Sequence, residues 1–220
     1  MEDFTLLHKT NIILHVGAGL IALLLGAVIL LLKKGDTRHR KMGQIFLGLL
    51  SLVVATAIAG VLVFGRNTFL LVLTVASGYY GYSGFRIARI KSNTPKTIDI
   101  GIALLSLCIA LYFLYYIKQI GMIWSPVIIY ATVGNLFLVI LYDFLKYLIP
   151  KTVYANLWLY EHIYKLIAAF TALLSAAVGT VFPDFKPYSQ FLPSVFGTCL
   201  AIGFIFYFWR VNKKRKVSES

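Results

Sequence analysis

Charged residues are scarce in this sequence. Only 13% of its 220 residues are Asp, Glu, Lys or Arg, and 60% are hydrophobic, whereas soluble domains average about 25% charged residues. A chain this apolar could not cover its surface in water, but a lipid bilayer accepts an apolar exterior. The composition therefore predicts an integral membrane protein and leaves no room for a separate soluble domain.

Cysteine is also rare, and familiar cofactor motifs are missing. Cys108 and Cys199 both lie in apolar runs, so we expect small buried hydrophobic residues rather than a disulfide framework or metal ligands. No zinc, P-loop or dinucleotide spacing occurs, and the last apolar run has no lysine for a retinal Schiff base. The acidic start, MEDF, and the long first run are unlike a cleaved signal peptide, so we expect that run to be retained as a helix.

Seven apolar runs are long enough to cross a membrane. A helix needs ~20 apolar residues to cross ~30 Å of hydrocarbon, and lipid offers no partner for unpaired backbone groups, so each run must be helical. The sequence predicts one all-α domain over residues 1–220, a polytopic membrane helical bundle of about seven transmembrane helices. The predicted spans are 11–32, 42–65, 68–90, 97–117, 123–148, 155–182 and 191–210.

The basic residues predict how this bundle is oriented. The first, third and fifth loops and the C-terminal tail carry sixteen lysine and arginine residues, and the opposite loops carry four. Cytoplasmic loops are enriched in these residues, so we expect the N-terminus outside and the C-terminus in the cytoplasm. Because the charges cluster between apolar runs, we expect them to contact anionic lipid and not nucleic acid.

Ionisable residues in the apolar runs are candidate site residues. Each costs at least ~2.5 kcal/mol at the centre of a membrane helix, so such residues persist where they pair or where they function. Several fall on different helices near the predicted cytoplasmic boundary. These are His39, Arg86, Asp99, Asp143, Glu161 and His162.

The histidines predict a cofactor or metal site. His39 and His162 with Asp143 suit a divalent first-row metal, and facing histidines could ligate a haem b. His15 is a further candidate cofactor ligand, but it lies ~20 Å from the level of His162. His15 would therefore bind a ligand separately or form a hydrogen bond to a neighbouring helix.

The remaining candidates form a predicted polar network. Arg86 with Asp99 and Asp143 suits an ion-pair network that fixes the register of the helices. Glu161 and Lys165 lie at the same level and are assigned to the same network. No catalytic residue can be named from this pattern.

Six segments carry a resemblance to other sequences. They are LHVGAGLIALLLGAVILLLKKG, HRKMG at 39–43, GYSGFR at 81–86, TIDIG at 97–101, YDF at 142–144 and WLYEHIYKLIAAFTA at 158–172. On these segments the chain resembles an uncharacterised family of predicted bacterial multi-spanning membrane proteins. The resemblance implies a bacterial inner-membrane location and brings no known activity. It singles out His15, Lys34, Gly35, His39, Gly43, Arg86, Asp99, Asp143 and His162.

Three functions remain open from the sequence. The first is a cofactor-binding protein, such as a small b-type cytochrome or a metal protein, that exchanges electrons with a quinone. The second is a non-catalytic subunit or assembly factor that binds a membrane-protein partner or forms a homo-oligomer. The third is a membrane-embedded metal-dependent hydrolase, which needs three metal ligands at one level. The inward-facing histidines favour the first.

Overall fold

The computed structural model describes residues 2–65, 68–121 and 125–218. These residues form α-helices joined by short turns, and no strand occurs among them, which confirms the all-α prediction. The helices, in chain order, are α1 (Glu2–Leu31), α2 (Thr37–Leu62), α3 (Thr68–Ile90), α4 (Thr97–Ile120), α5 (Pro126–Leu145), α6 (Lys151–Tyr154), α7 (Trp158–Val181) and α8 (Tyr188–Ser218).

Six helices are long and apolar enough to cross a membrane: α1, α2, α4, α5, α7 and α8. Their outward faces carry large apolar side chains, such as Leu20, which is 58% exposed, and Leu105, which is 60% exposed. Such an exterior suits lipid and not water. By the length and composition of its helices, the chain is a multi-pass membrane protein.

The remaining long helix, α3, coincides with the predicted span 68–90 but is less apolar than the other six. It packs against α2, α4, α5 and α7. Within residues 71–90 only Arg89 is exposed. Because other helices enclose α3, its surface meets protein rather than lipid and can carry tyrosines and glycines.

Several predicted boundaries differ from the observed ones. The predicted span 155–182 is one helix only from Trp158, because the short helix α6 and a turn precede it. The last helix continues to Ser218, beyond the predicted end at 210, since lysine and arginine are good helix formers. Three residues of the predicted span 123–148 precede Pro126, and two of them, 123 and 124, lie outside the described residues.

The two cysteines are free and exposed, on α4 and α8. The prediction that they are buried is therefore wrong. In a protein that meets lipid, an outward face is as apolar as an inward one. Apolar neighbours in the sequence therefore do not indicate that a residue is buried.

Glycines bring α3 and α7 close together. A Cβ built at Gly84 would lie 2.9 Å from Lys165 Cβ and would also meet Leu166. Two turns before Gly84 on α3 and one turn after Lys165 on α7, the Ser77 hydroxyl donates to the carbonyl of Ala169 at 3.2 Å. Small residues let membrane helices approach in this way. This contact fixes the position of the polar residues of α7 relative to α3.

Candidate functional site

Four buried charged side chains on α5, the turn that follows it and α7 form a closed cluster, which we call the charge quartet: Asp143, Lys146, Glu161 and Lys165. Lys146 Nζ lies 2.6 Å from Asp143 Oδ1 and 2.7 Å from Glu161 Oε1. Lys165 Nζ lies 2.5 Å and 2.7 Å from the same two oxygens. Each ammonium therefore bridges both carboxylates. The quartet is neutral, and none of its side chains is more than 9% exposed.

Local sequence spacing builds the charge quartet. Glu161 and Lys165 are four residues apart on α7. Asp143 and Lys146 are three apart, at the end of α5 and the start of the turn that follows. Residues at these spacings lie on one face of a helix. Asn93 Nδ2 donates to the carbonyl of Lys146 at 2.7 Å, which holds this turn in place.

Three tyrosines complete the hydrogen bonding of the quartet. The Tyr79 hydroxyl donates to Asp143 Oδ2 at 2.6 Å. Tyr142 donates to Glu161 Oε2 at 3.3 Å, and Tyr154 donates to the same oxygen. Burial and the neighbouring Glu161 carboxylate raise the pKa of Tyr154, so its phenol keeps the proton that it donates. Both oxygens of each carboxylate are thus occupied, and the quartet offers no free ligand to a metal.

A second ion pair joins α3 to α4. Arg86 Nε pairs with Asp99 Oδ1, and the Tyr82 hydroxyl donates to the same oxygen at 2.8 Å. Asp99 Oδ2 accepts from the backbone N–H of Lys96 at 2.9 Å and so caps α4. Arg86 and Asp99 therefore form the predicted pair, but Asp143 belongs to the charge quartet instead.

A small cavity separates the two ion-pair groups. Its volume is about 30 Å³, and Arg86, Asp99, Asp143 and Lys146 are among the residues that line it. A cavity needs roughly 10–15 Å³ to hold one water molecule. This space is large enough for water but not for an organic ligand. The predicted polar network of Arg86, Asp99, Glu161 and Lys165 is therefore two clusters on either side of a water-sized space.

A much larger cavity lies between α1, α2, α3, α7 and α8. Its volume is about 390 Å³, and His39 and His162 both line it. We call it the histidine cavity. Apolar side chains form most of the wall, and four basic residues also line it. The apolar residues include Phe46, Leu47, Phe85, Leu166 and Phe170, and the basic residues are Lys34, Arg40, Arg89 and Lys91.

The two imidazoles differ in their hydrogen bonding. His162 Nδ1 lies 2.9 Å from the carbonyl oxygen of Gly84. A carbonyl only accepts, so Nδ1 carries the proton and a neutral ring has a lone pair on Nε2. His39 Nδ1 is buried and has no hydrogen-bond partner among the residues that the structure describes. His162 Nε2 can therefore still bind a ligand, whereas His39 Nδ1 has almost no accessible surface and the His39 ring also lies against the carbonyl of Ile29.

The predicted metal ligands do not come together. In the described ranges, no group of three or more His, Cys, Asp and Glu side chains could hold a metal ion. Asp143 lies in the charge quartet, whereas His39 and His162 line the histidine cavity. The reason is topological: α5 packs against α3 and α4, while α2, which carries His39, packs against α1 and α3.

His15 does not line the histidine cavity. Its Nδ1 lies 3.0 Å from the hydroxyl oxygen of Thr56 on α2. Asn11 Nδ2 donates to the carbonyl of the same threonine at 3.1 Å. His15 therefore makes the hydrogen bond to a neighbouring helix that the sequence allowed, and His15, His39 and His162 do not converge on one cofactor.

Several residues of these sites were not predicted. Lys146 was missed because it resembles the basic loop residues that set the topology. Tyr79, Tyr142 and Tyr154 were missed because tyrosines are common at the membrane interface. The available signal was the spacing of opposite charges in YDFLK and EHIYK. Asn93 gives no such signal, because its partners are backbone carbonyls.

The chain shows no similarity to known proteins in three comparisons. No protein-family model, no curated protein and no solved structure matches this chain.

Proposed function

We propose that this chain binds a small, membrane-soluble ligand in the histidine cavity. The observation that carries the proposal is a cavity of about 390 Å³ on which His39 and His162 converge. Ligand sites in proteins have volumes of roughly 300–1,000 Å³ and apolar walls with a few polar groups. The wall of this cavity has that character. His162 would orient the ligand through Nε2, and His39 would contact it from the wall of the cavity.

The number of ligating groups favours some ligands over others. A haem is held by one or two axial side chains, whereas zinc takes three or four protein ligands. The part of the chain that the structure describes offers two imidazoles here and no third ligand. A haem or another organic molecule therefore fits the proposal better than a bare metal ion. The membrane-embedded hydrolase, which needs a three-ligand site, has no support from this geometry.

Purified protein is expected to carry its ligand, and the loss of one imidazole is expected to release it. The measurement is native mass spectrometry in a neutral detergent, with an absorption spectrum before and after dithionite. A mass excess in the wild type that is absent in His162→Ala would support the proposal, and a Soret band that shifts on reduction would identify a haem.

The matched control is His15→Ala, which removes an imidazole outside the histidine cavity. It should keep the mass excess. A folded wild type with no mass excess and no chromophore would overturn the proposal. An equal mass excess in His162→Ala and the wild type would show that the His162 imidazole does not take part in binding the ligand.

We also propose that seven helices cross a bacterial inner membrane, with the N-terminus outside and the C-terminus in the cytoplasm. The loop charges and the family resemblance support this. A C-terminal green fluorescent protein fusion is expected to fluoresce, and alkaline phosphatase inserted after Gly121, between α4 and α5, is expected to be active. The reverse pattern would contradict the orientation.

A non-catalytic subunit or assembly factor is the second candidate function. The charge quartet favours it, because closed, neutral ion pairs join helices without leaving a reactive group free. Such a protein would meet a membrane partner or a second copy through its apolar exterior, and anionic lipids through its basic loops. It becomes the first candidate if the histidine cavity binds nothing.

A further inference from the structure

The charge around the histidine cavity is of one sign. Lys34, Arg40, Arg89 and Lys91 line it, and no aspartate or glutamate does among the residues given by the structure. The carboxylate nearest in sequence, Asp36, caps α2 by accepting from the backbone N–H of His39 at 2.6 Å. Across the described ranges, none of the four cations has a carboxylate within ion-pair distance. The wall of the cavity therefore carries an excess of positive charge, and no carboxylate forms a direct ion pair with these cations.

The four cations do not have the same freedom to bind. Lys34 Nζ donates to the carbonyls of Ile29, Leu30 and Leu32 at 2.6–3.1 Å, so its three protons are used at the end of α1. Lys34 thus contributes its charge but no donor.

Arg89 and Lys91, at the end of α3, are held by aromatic rings instead. Arg89 Cζ lies 5.6 Å from the centre of the Phe85 ring, and Lys91 Nζ lies 5.0 Å from that of Trp158. A cation over a ring is attracted to it but keeps its N–H donors. Arg89 and Lys91 can therefore donate to an anion at the cavity.

The rest of the cavity is apolar. Phe46, Leu47, Leu166 and Phe170 line it together with Gly26, where a Cβ would meet the Phe170 ring. The cations lie near the ends of helices and in the turns between them, whereas these apolar residues lie within the helices. A ligand that satisfies both regions has an anionic head and an apolar chain.

We infer that the histidine cavity takes an anionic membrane amphiphile, with its phosphate or carboxylate head at Arg89 and Lys91 and its hydrocarbon chain against the phenylalanines. This deepens the proposed function, on which it rests, by naming the class of ligand. His39 and His162 then lie beside the bound molecule and donate to it or accept from it. A neutral or zwitterionic amphiphile of equal length fills the same apolar space but lacks the charge that the cations match.

Trp158 provides a reporter, because it lines the cavity. The chain has three tryptophans, so the variant Trp124→Phe/Trp209→Phe leaves Trp158 alone. Its emission is followed in neutral dodecyl maltoside micelles while dodecyl phosphate, dodecylphosphocholine or inorganic phosphate is added. We expect dodecyl phosphate to bind at least about tenfold more tightly than dodecylphosphocholine, and inorganic phosphate to have no effect.

Charge variants identify the binding groups. In the same background, Arg89→Gln and Lys91→Gln should each weaken dodecyl phosphate binding roughly fivefold, as expected for one basic residue near an anionic head. Dodecylphosphocholine binding should change little. Lys151→Gln, which removes an exposed cation that does not line the cavity, should leave both affinities unchanged.

Each result decides between the two proposals. Equal affinity for the two amphiphiles would overturn the anionic ligand and leave a ligand-binding cavity. No response from Trp158 in a protein that carries a chromophore would likewise reject the amphiphile and keep the proposed function. Tight binding of inorganic phosphate alone would show that the site takes the head group without the chain, which also overturns the inference.

Discussion

Replacement of Lys165 by methionine is expected to lower the free energy of unfolding by about 3–5 kcal/mol, because it leaves an uncompensated buried charge. Lys165 Nζ contacts both Asp143 and Glu161, and its side chain is 1% exposed. After the change, two carboxylates share the single ammonium of Lys146, and the cluster carries a net negative charge. The measurement is the unfolding midpoint in detergent, followed by circular dichroism during heating or addition of dodecyl sulfate.

Lys118→Met is the matched control, since it makes the same change at an exposed lysine on α4. Its midpoint should stay close to that of the wild type. The double variant Lys165→Met/Glu161→Gln should recover part of the loss, because one cation and one anion are removed together. Equal midpoints for Lys165→Met and Lys118→Met would show that the charge quartet does not hold α5 to α7.

Alanine at Gly84 is expected to destabilise the protein by about 1–3 kcal/mol, the usual cost of overpacking a close contact. The added methyl would lie 2.9 Å from Lys165 Cβ, which cannot move unless the backbone of α7 moves. A shift of α7 would also disturb the hydrogen bond from His162 Nδ1 to the Gly84 carbonyl. The variant should therefore lose both stability and ligand from the histidine cavity.

Gly134→Ala on α5 is the matched control, because a Cβ at that position would meet no atom within 4 Å. Alanine in a helix gains roughly 0.5–1 kcal/mol over glycine, so this variant should be as stable as the wild type or more stable. If Gly84→Ala were equally tolerated, the approach of α3 to α7 would be looser than the structure indicates.

The helices could be predicted from the sequence where the lipid requires a long apolar run. The six apolar helices follow from hydropathy alone, and α3 matches the predicted span 68–90. Their ends were harder to predict, because the end of a helix depends on individual turns and caps. Asp36, which caps α2, and the turn before Trp158 are examples.

The candidate site was predictable only in part. The cost of burying a charge pointed to Asp143, Glu161, His162 and Lys165, and all four are half-buried or buried. Which of them meet depends on how the helices rotate about their axes, and hydropathy carries little information on rotation. That is why Asp143 was placed with the histidines, although it binds Lys146 and Lys165.

The charge quartet also bears on how the chain enters the bilayer during synthesis. Each of its two helices brings one acid and one base, about one helical turn apart: Asp143 with Lys146, and Glu161 with Lys165. A helix inserted with such a pair carries no net charge from it, and the pair can close before the partner helix arrives. Each pair therefore reaches the membrane already neutral, and the contact between the helices only adds a second partner to charges that were already matched.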